Sequence, residues 1–179
     1  MKNLITLLLL ILTINVSYGQ NESTLTAEDR LAMLDSMQYA SNREVISSVD
    51  IDSLENEIII LINDLRVKNN LNTLKTNESL ELYSSNWSDH ILKTRRLSHS
   101  NIKESGVTAE NVWAYFMWGT IWVKKEYITS LANDIYNDWL TSPLHKKNML
   151  LSDIKEIGIS ISIDKRGYNK QVGATMVVN

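Results

Sequence analysis

The sequence contains no cysteine, and Pro143 is its only proline. The absence of cysteine excludes disulfide bonds, thiolate metal ligands and a cysteine nucleophile, so the fold must be stabilised by its hydrophobic core alone. Positive charge is also scarce, since 18 lysines and arginines stand against 21 acidic residues and no segment carries a basic stripe. This balance argues against nucleic acid as the main partner.

An apolar run occupies residues 4–16, behind the positive charge of Lys2 and ahead of the small residues Ser17 and Gly19. This order predicts a signal peptide over residues 1–19 with cleavage after Gly19. The run is shorter than the ~20 residues that a membrane-spanning helix needs. We therefore expect a secreted protein, extracellular or periplasmic, with no transmembrane segment once the signal is removed.

The rest of the chain has the size of one domain. Residues 20–50 are polar and predict a linker or a short N-terminal helix, whereas residues 51–179 carry the patterns of a folded domain. Apolar residues recur at helix spacing in three segments, which predicts amphipathic helices. The first begins near Leu54 after a cap at Asp50 or Asp52. The second runs from Glu78, capped by Asn77, to near Arg96, and the third runs from Lys125 to Leu140. A new helical turn is expected to start at Pro143, after a cap at Ser142.

In the last third of the chain, the spacing of apolar residues changes from the helical pattern to strict alternation. Isoleucines alternate with polar or small residues over 156–163, and apolar residues alternate again over 172–178, which predicts an antiparallel hairpin. A short extended piece is also predicted over 107–115, after a turn at Gly106. The expected fold class is α+β, a small antiparallel sheet with helices on one or both faces.

The chain has three histidines, at positions 90, 99 and 145. His90 lies inside the second predicted helix, and we expect it on the surface. His99 lies in a loop just past that helix, and loops on a rigid scaffold often carry sites. His145 falls in the first turn after Pro143, with Asn148 on the same side. Taken alone, His145 fits better as part of a solvated basic helix start with Lys146 and Lys147.

Glu110 lies in a short strand of otherwise apolar and small residues, on the solvent face or in a polar pocket. Two imidazoles and one carboxylate could hold zinc or another divalent metal, provided that the fold brings His99, Glu110 and His145 together. Their spacing along the chain does not establish that meeting, because the three residues come from separate elements.

Seven short motifs follow one another in an order that resembles the CAP superfamily, named for cysteine-rich secretory proteins, antigen 5 and pathogenesis-related proteins. The similarity is greatest to its short, cysteine-free bacterial secreted members and covers the chain from about Leu54 onward. The motifs are Asn63-Asp64-Leu65-Arg66, Leu71-Asn72-Thr73-Leu74, Leu80 through Trp87, Ser98-His99-Ser100, Ala109-Glu110-Asn111, Trp139 with Ser142-Pro143-Leu144-His145-Lys146-Lys147-Asn148-Met149-Leu150, and Ile157-Gly158-Ile159.

The resemblance implies an α-β-α sandwich whose central cleft holds two histidines and two acidic residues. His99, His145 and Glu110 match three of these positions, and Ser142 stands where the family has its second glutamate. A hydroxyl supplies no negative charge, so the resemblance implies weaker zinc binding than a complete set would give. Asn111 and Asn148 belong to the same motifs and are expected to support the site.

Aromatic residues crowd the segment between this strand and the third helix. They could complete the core, or they could form a rim beside the cleft that grips an apolar ligand, a glycan or a membrane surface. The rim candidates are Trp113, Tyr115, Phe116 and Trp118, with Met117 and Trp122 nearby.

Three functional hypotheses remain open at this point. The first is a secreted binding module for an apolar, lipid-like or peptide ligand, with or without a divalent metal. The second is a hydrolase in which His99 or His145 acts as a general base or a zinc ion polarises water. Neither Ser100 nor Ser142 has a surrounding sequence that resembles a nucleophile elbow, which weighs against a hydrolase. The third is a purely structural polar cluster.

Overall fold

The structure, a computed structural model, describes residues 26–116, 130–164 and 171–179. The chain divides into two compact units, residues 1–37 and 38–179. Helix α1 is Ala27–Ser47. In the first unit, Thr26 and Asp29 exchange hydrogen bonds between side chain and backbone. This reciprocal pair is a capping box, which satisfies free N–H groups at the helix start.

The second unit contains the sheet and the remaining helices. It includes a 3-10 turn at Ile102–Glu104. The elements are α2 (Ile51–Lys68), β1 (Lys75–Thr76), α3 (Glu78–Thr94), β2 (Ala109–Phe116), α4 (Leu131–Thr141), α5 (Pro143–Met149), β3 (Glu156–Ile163) and β4 (Gln171–Val178).

The sheet has four strands in the order β1-β3-β4-β2. The predicted hairpin is confirmed, with β3 antiparallel to β4, and β4 also pairs antiparallel with β2 along its whole length. The two-residue strand β1 pairs in parallel with the start of β3, at Glu156 and Ile157. The sheet is therefore mixed rather than purely antiparallel. All eight residues of β4 are buried, as a central strand covered on both faces requires.

Helices cover both faces of this sheet and make the α-β-α sandwich that was predicted. Helix α2 packs against α4 and β3 on one face, and α3 packs against β3 and β4. The larger core contains Ile58 and Ile62 of α2, Trp139 of α4 and Ile157 of β3. A smaller cluster under α3 joins Leu80 to Val177. The side chains of alternate strand residues therefore pack against the helices on opposite faces of the sheet.

Two predicted helix caps are confirmed and one is wrong. Asp50 accepts a hydrogen bond from the Ser53 N–H, and Asn77 accepts from the first turn of α3. The Ser142 side chain makes no cap hydrogen bond. Its backbone N–H instead closes the end of α4 by donating to the Asp138 carbonyl at 3.2 Å. The residue serves as the joint between two helices, and Pro143 after it has no N–H to be capped.

Three further boundaries can be compared. Helix α3 ends at Thr94, two residues before the predicted end. The described part of the third predicted helix begins at Leu131, and its predicted start at Lys125 lies outside the described residues. Most of the predicted turn between β3 and β4 also lies outside them.

Candidate ligand-binding cleft

Two histidines meet at the outer edge of β2. His99 follows α3, and His145 lies in α5, so the two rings belong to elements that are far apart in the chain. Their centroids are 6.4 Å apart and their planes are tilted by 51°. Strand β2 contacts both of them, since Glu110 lies beside the His99 ring and Asn111 donates to the His145 carbonyl.

Glu110 of β2 fixes the orientation of His99. The carboxylate side chain is 1% exposed, whereas the His99 side chain is 59% exposed. The Nδ1 atom of His99 lies 2.8 Å from Oε1 of Glu110, and the backbone N–H of Ser100 donates to the same oxygen at 3.0 Å. Because the carboxylate accepts from several donors, the proton of this pair belongs on Nδ1. That assignment leaves Nε2 of His99 as the ring atom for a ligand.

Ser100 and Tyr83 extend this network into α3. The hydroxyl of Ser100 donates to Oε2 of Glu110. Its oxygen therefore accepts from the Tyr83 hydroxyl, which lies 2.7 Å away. Trp87 of the same helix donates from Nε1 to the Ser98 carbonyl at 2.9 Å. The loop that carries His99 is thus held to α3 on both sides of the histidine.

Asn111 and Asn148 connect the same strand to α5. Asn148 donates from Nδ2 to the Glu110 carbonyl at 3.1 Å and to Oδ1 of Asn111 at 2.9 Å. Asn111 donates in turn to the His145 carbonyl at 3.0 Å. The two asparagines therefore hold the α5 backbone against β2.

Electrostatics distinguish the two histidines. Burial lowers the pKa of His145 below its ordinary value, and the nearby His99 ring lowers it further, since two positive rings would repel each other. The neutral form of His145 is favoured near pH 7. A neutral imidazole is the form that binds a metal ion or accepts a proton.

A small cavity of about 240 Å³ lies beside His99 and Glu110. Apolar and polar groups both contribute to its walls, so it can accept a ligand group with mixed character. Its described lining consists of His99, Ser100, Ile102, Thr108, Ala109, Glu110 and Asn148.

Comparison with known proteins identifies the domain. The model of the cysteine-rich secretory protein family, CAP, matches residues 59–179. The chain belongs to the CAP family. No curated protein sequence matches it. An outer surface protein from Borrelia burgdorferi is similar in structure, with 18% sequence identity, a TM-score of 0.54 and coverage of 73% of this chain and 96% of that one. The protein BmVAL-1 has 17% identity and the same TM-score, with coverage of 70% and 76%. At these identities the likeness shows the shared fold alone.

The CAP fold brings together most of the residues predicted from the sequence. His99 and Glu110 are in contact, His145 faces them across the edge of β2, and both asparagines join the network. Ser142 lies at the joint of α4 and α5 and is linked to the neighbouring residues through its backbone. His90 is exposed, as predicted, and stacks on Trp87 with ring centroids 4.4 Å apart.

The donor set at this CAP cleft partly fits a divalent metal. A histidine whose Nδ1 donates to a carboxylate presents Nε2 in the manner of zinc-binding histidines. His145 would be the second ligand. Glu110, with its oxygens engaged by Ser100 and His99, is placed to orient a ligand rather than to bind the ion. Within residues 26–116, 130–164 and 171–179, no three His, Asp or Glu side chains are grouped closely enough to hold a metal. The three-residue metal site stays a prediction.

The aromatic residues divide between the two faces of β2. Trp113 and Tyr115 are half-buried on the face that carries Asn111, and their rings stack with centroids 6.3 Å apart. Trp113 also packs against the larger core and donates from Nε1 to Asp138 at 2.6 Å. Phe116 alternates to the face of Glu110. Trp118, Met117 and Trp122 lie outside the described residues.

Two members of the network, Tyr83 and Ser100, were not predicted as site residues. Tyr83 lies inside the motif Leu80 through Trp87, and Ser100 lies inside the motif Ser98-His99-Ser100. The signal that could have identified them is positional. A tyrosine on the sheet-facing side of α3 and a serine directly after the histidine both point toward the strand that carries Glu110.

Proposed function

We propose that this CAP domain is an exported binding module whose cleft at the β2 edge holds a ligand through His99 and His145. The observation that carries the proposal is the approach of the two imidazoles, 6.4 Å between centroids, with one ring oriented by a buried carboxylate. An orienting network of this kind is used where a ring must present one nitrogen to a ligand.

The proposal includes a divalent metal as one group that the two rings can share. Zinc prefers imidazole nitrogen at ~2.0–2.1 Å and would supply a positive charge between the rings. His99 would offer Nε2, and His145 would offer a neutral ring. The missing second glutamate at Ser142 leaves the site with less negative charge, so we expect moderate rather than tight affinity.

The ligand itself is proposed to be apolar, lipid-like or peptide-like. The stacked Trp113 and Tyr115 support this, because flat, half-buried rings on an edge strand offer apolar contact area on the same strand as Glu110. Export is supported by the signal pattern at residues 1–19. It is also consistent with the surface location stated in the name of the Borrelia neighbour. Among the described residues, none of the helices combines the length and the hydropathy that a membrane span requires.

Isothermal titration of the purified protein with zinc, magnesium and calcium tests the metal part. We expect zinc to bind, His99→Ala and His145→Ala each to abolish binding, and the exposed His90→Ala to bind like the parent. Zinc binding that survives both cleft substitutions would overturn the assignment. If both variants unfold easily while their zinc titration is unchanged, the cluster is structural only.

Titration with palmitate and lysophosphatidylcholine tests the apolar part, with indole NMR signals as the readout. Binding should shift the Trp113 signal and weaken in Trp113→Ala, while Val67→Ala, an exposed apolar position on α2, serves as the matched control. If Trp113→Ala and Val67→Ala bind these lipids equally well, the apolar ligand does not bind at Trp113.

A further inference from the structure

A second and larger cavity lies at the opposite edge of the sheet from the histidines. It is a groove of about 970 Å³ between α2, α3 and the outer edge of β3, and we refer to it as the β3-edge groove. Its apolar lining residues come from the end of α1, from the helices and from the strand. They are Ile46, Val49, Ile51, Ile59, Leu82, Ile159, Ile161 and Ile163.

The main chain of β3 is open along this groove. Strand β1 pairs only with Glu156 and Ile157, and no other strand of the described chain pairs with the outer side of β3. The N–H of Ile161 points outward and donates to Oε1 of Glu55 at 2.8 Å. In a longer sheet, a carbonyl of the next strand would occupy that position. The Glu55 carboxylate therefore substitutes for a missing strand.

The groove is strongly acidic. Its described lining includes Asp52, Glu55, Glu78, Glu81 and Asp89, and none of the described lining residues is basic. Burial raises the pKa of Glu55, and the negative charges of Asp52 and Glu81 raise it further. A positive charge placed in the groove would relieve this repulsion.

We propose that the β3-edge groove binds a basic peptide segment in extended conformation, which adds to the sheet as a strand along β3. The incoming main chain would pair with the outward groups of Ile159, Ile161 and Ile163, and its carbonyl would replace Glu55 at the Ile161 N–H. Glu55 would then be free to pair with a lysine or arginine of the peptide. Strand addition of this kind combines main-chain hydrogen bonds with side-chain pockets.

The combination of lining groups favours a peptide over a small polyamine. Apolar floor residues can contact the aliphatic stems of lysine and arginine while the carboxylates meet their charged ends. The unpaired part of β3, from Gly158 to Ile163, is long enough for a partner strand of about six residues, or roughly 20 Å. A polyamine would use the charges but not the main-chain edge.

The first experiment measures binding of a labelled nine-residue peptide, in which lysine alternates with threonine, by fluorescence anisotropy. We expect the lysine peptide to bind and a glutamate–threonine peptide not to bind. Asp52→Asn and Glu81→Gln should each weaken binding about two- to fivefold, as the loss of one partly exposed ion pair does. Asp64→Asn, an exposed acid on α2 outside the groove, should bind like the parent. Equal binding by all three variants would overturn the proposal.

The second experiment separates strand addition from simple charge attraction. The same lysine peptide with N-methyl groups on alternate residues keeps its charge but loses main-chain donors. We expect it to bind at least tenfold more weakly, and we expect the unmodified peptide to slow hydrogen exchange at the Ile161 amide. Unchanged affinity of the methylated peptide, or full competition by spermine with no change at that amide, would refute strand addition. Because the groove lies away from the cleft, His99→Ala should leave peptide binding intact. A negative result in the peptide experiment therefore leaves the zinc titration unaffected, and the reverse also holds.

Discussion

His99 and Glu110 form a pair in which an exposed ring is held by a buried carboxylate, with Nδ1 and Oε1 2.8 Å apart. The side chain of His99 is 59% exposed and that of Glu110 is 1% exposed. The carboxylate connects the solvent-facing ring to the interior of the sheet, and Ser100 and Tyr83 continue the connection into α3. The orientation of the His99 ring is therefore set by a hydrogen-bond network that extends from β2 to α3.

Replacing this carboxylate should destabilise the domain. In Glu110→Gln, an NH₂ group would face donors where an oxygen now accepts, and the charge that attracts them would be lost. We expect the free energy of unfolding to fall by about 2–3 kcal/mol, as for buried hydrogen bonds to a charged group. Urea denaturation measures this. The control is Glu57→Gln, which keeps the oxygen that accepts from Asn133. Similar losses in both variants would contradict the role given to Glu110.

The depressed pKa of His145 should make stability depend on pH. Burial and the nearby His99 lower this pKa below 6.5 in the folded protein, so the unfolded chain takes up the proton more readily. Stability should therefore fall as the pH drops from 6.5 toward the folded pKa. Unfolding measured between about pH 7.5 and 5 should show a flatter dependence in His145→Asn. His90→Asn should keep the parent dependence of unfolding free energy on pH. An unchanged dependence in His145→Asn would show that His145 is not its cause.

Much of the fold could be predicted because its signals are local. The apolar series Leu54, Ile58, Ile62 identifies the buried face of α2, and all three residues are buried. The alternation of isoleucines identifies β3 in the same way. These patterns predict buried faces because backbone geometry sets the periods of helix and strand, independently of the element packed against them.

The meeting of His99 with His145 could not be derived from spacing, because the two residues lie far apart in the chain and on separate elements. It was predicted through the CAP motifs, which carry the information on topology. The strand β1 had no signal at all, since two residues, Lys75 and Thr76, show no periodicity. The β3-edge groove depends on the distance between α2 and α3. The sequence pattern of one helix does not predict its distance from another.

Arg66 continues the apolar series of α2 and is fully buried, although a charged residue at that position argues against burial. Its guanidinium donates to the carbonyls of Asn72, Met149 and Leu151 at 2.8–2.9 Å. Two of these acceptors, Met149 and Leu151, are distant in the sequence, so no local pattern reveals them. The residue joins α2 to the last residue of α5 and to the segment after it, and thus supports the helix that carries His145.

Removing the Arg66 guanidinium should strongly destabilise the folded protein. Arg66→Met fills much of the space but leaves three carbonyls without their donor, and we expect a loss of about 3 kcal/mol in unfolding free energy. Chemical denaturation followed by circular dichroism provides the measurement. Arg96→Met, at an exposed position, is the matched control and should lie within ~0.5 kcal/mol of the parent. A small effect at Arg66 would mean that water replaces the lost donors.

Gly158 and Gly106 offer a direct contrast between close packing and backbone strain. A Cβ on Gly158 would lie 2.2 Å from the Leu80 carbonyl carbon and 2.4 Å from the Glu81 nitrogen, so β3 and α3 would have to separate. Gly106 has φ of +75° and open space around its Cα. Gly106→Ala should therefore lose only about 1–2 kcal/mol through the left-handed backbone conformation.

Gly158→Ala should lose about 3 kcal/mol or more, because backbone atoms of a packed helix cannot move aside as a side chain can. Thermal unfolding of the two variants side by side measures the difference, and the midpoint should fall much further for Gly158→Ala. If the two midpoints fall equally, α3 does not lie as close to β3 as the structure places it. The lining of the β3-edge groove by both elements would then need revision as well.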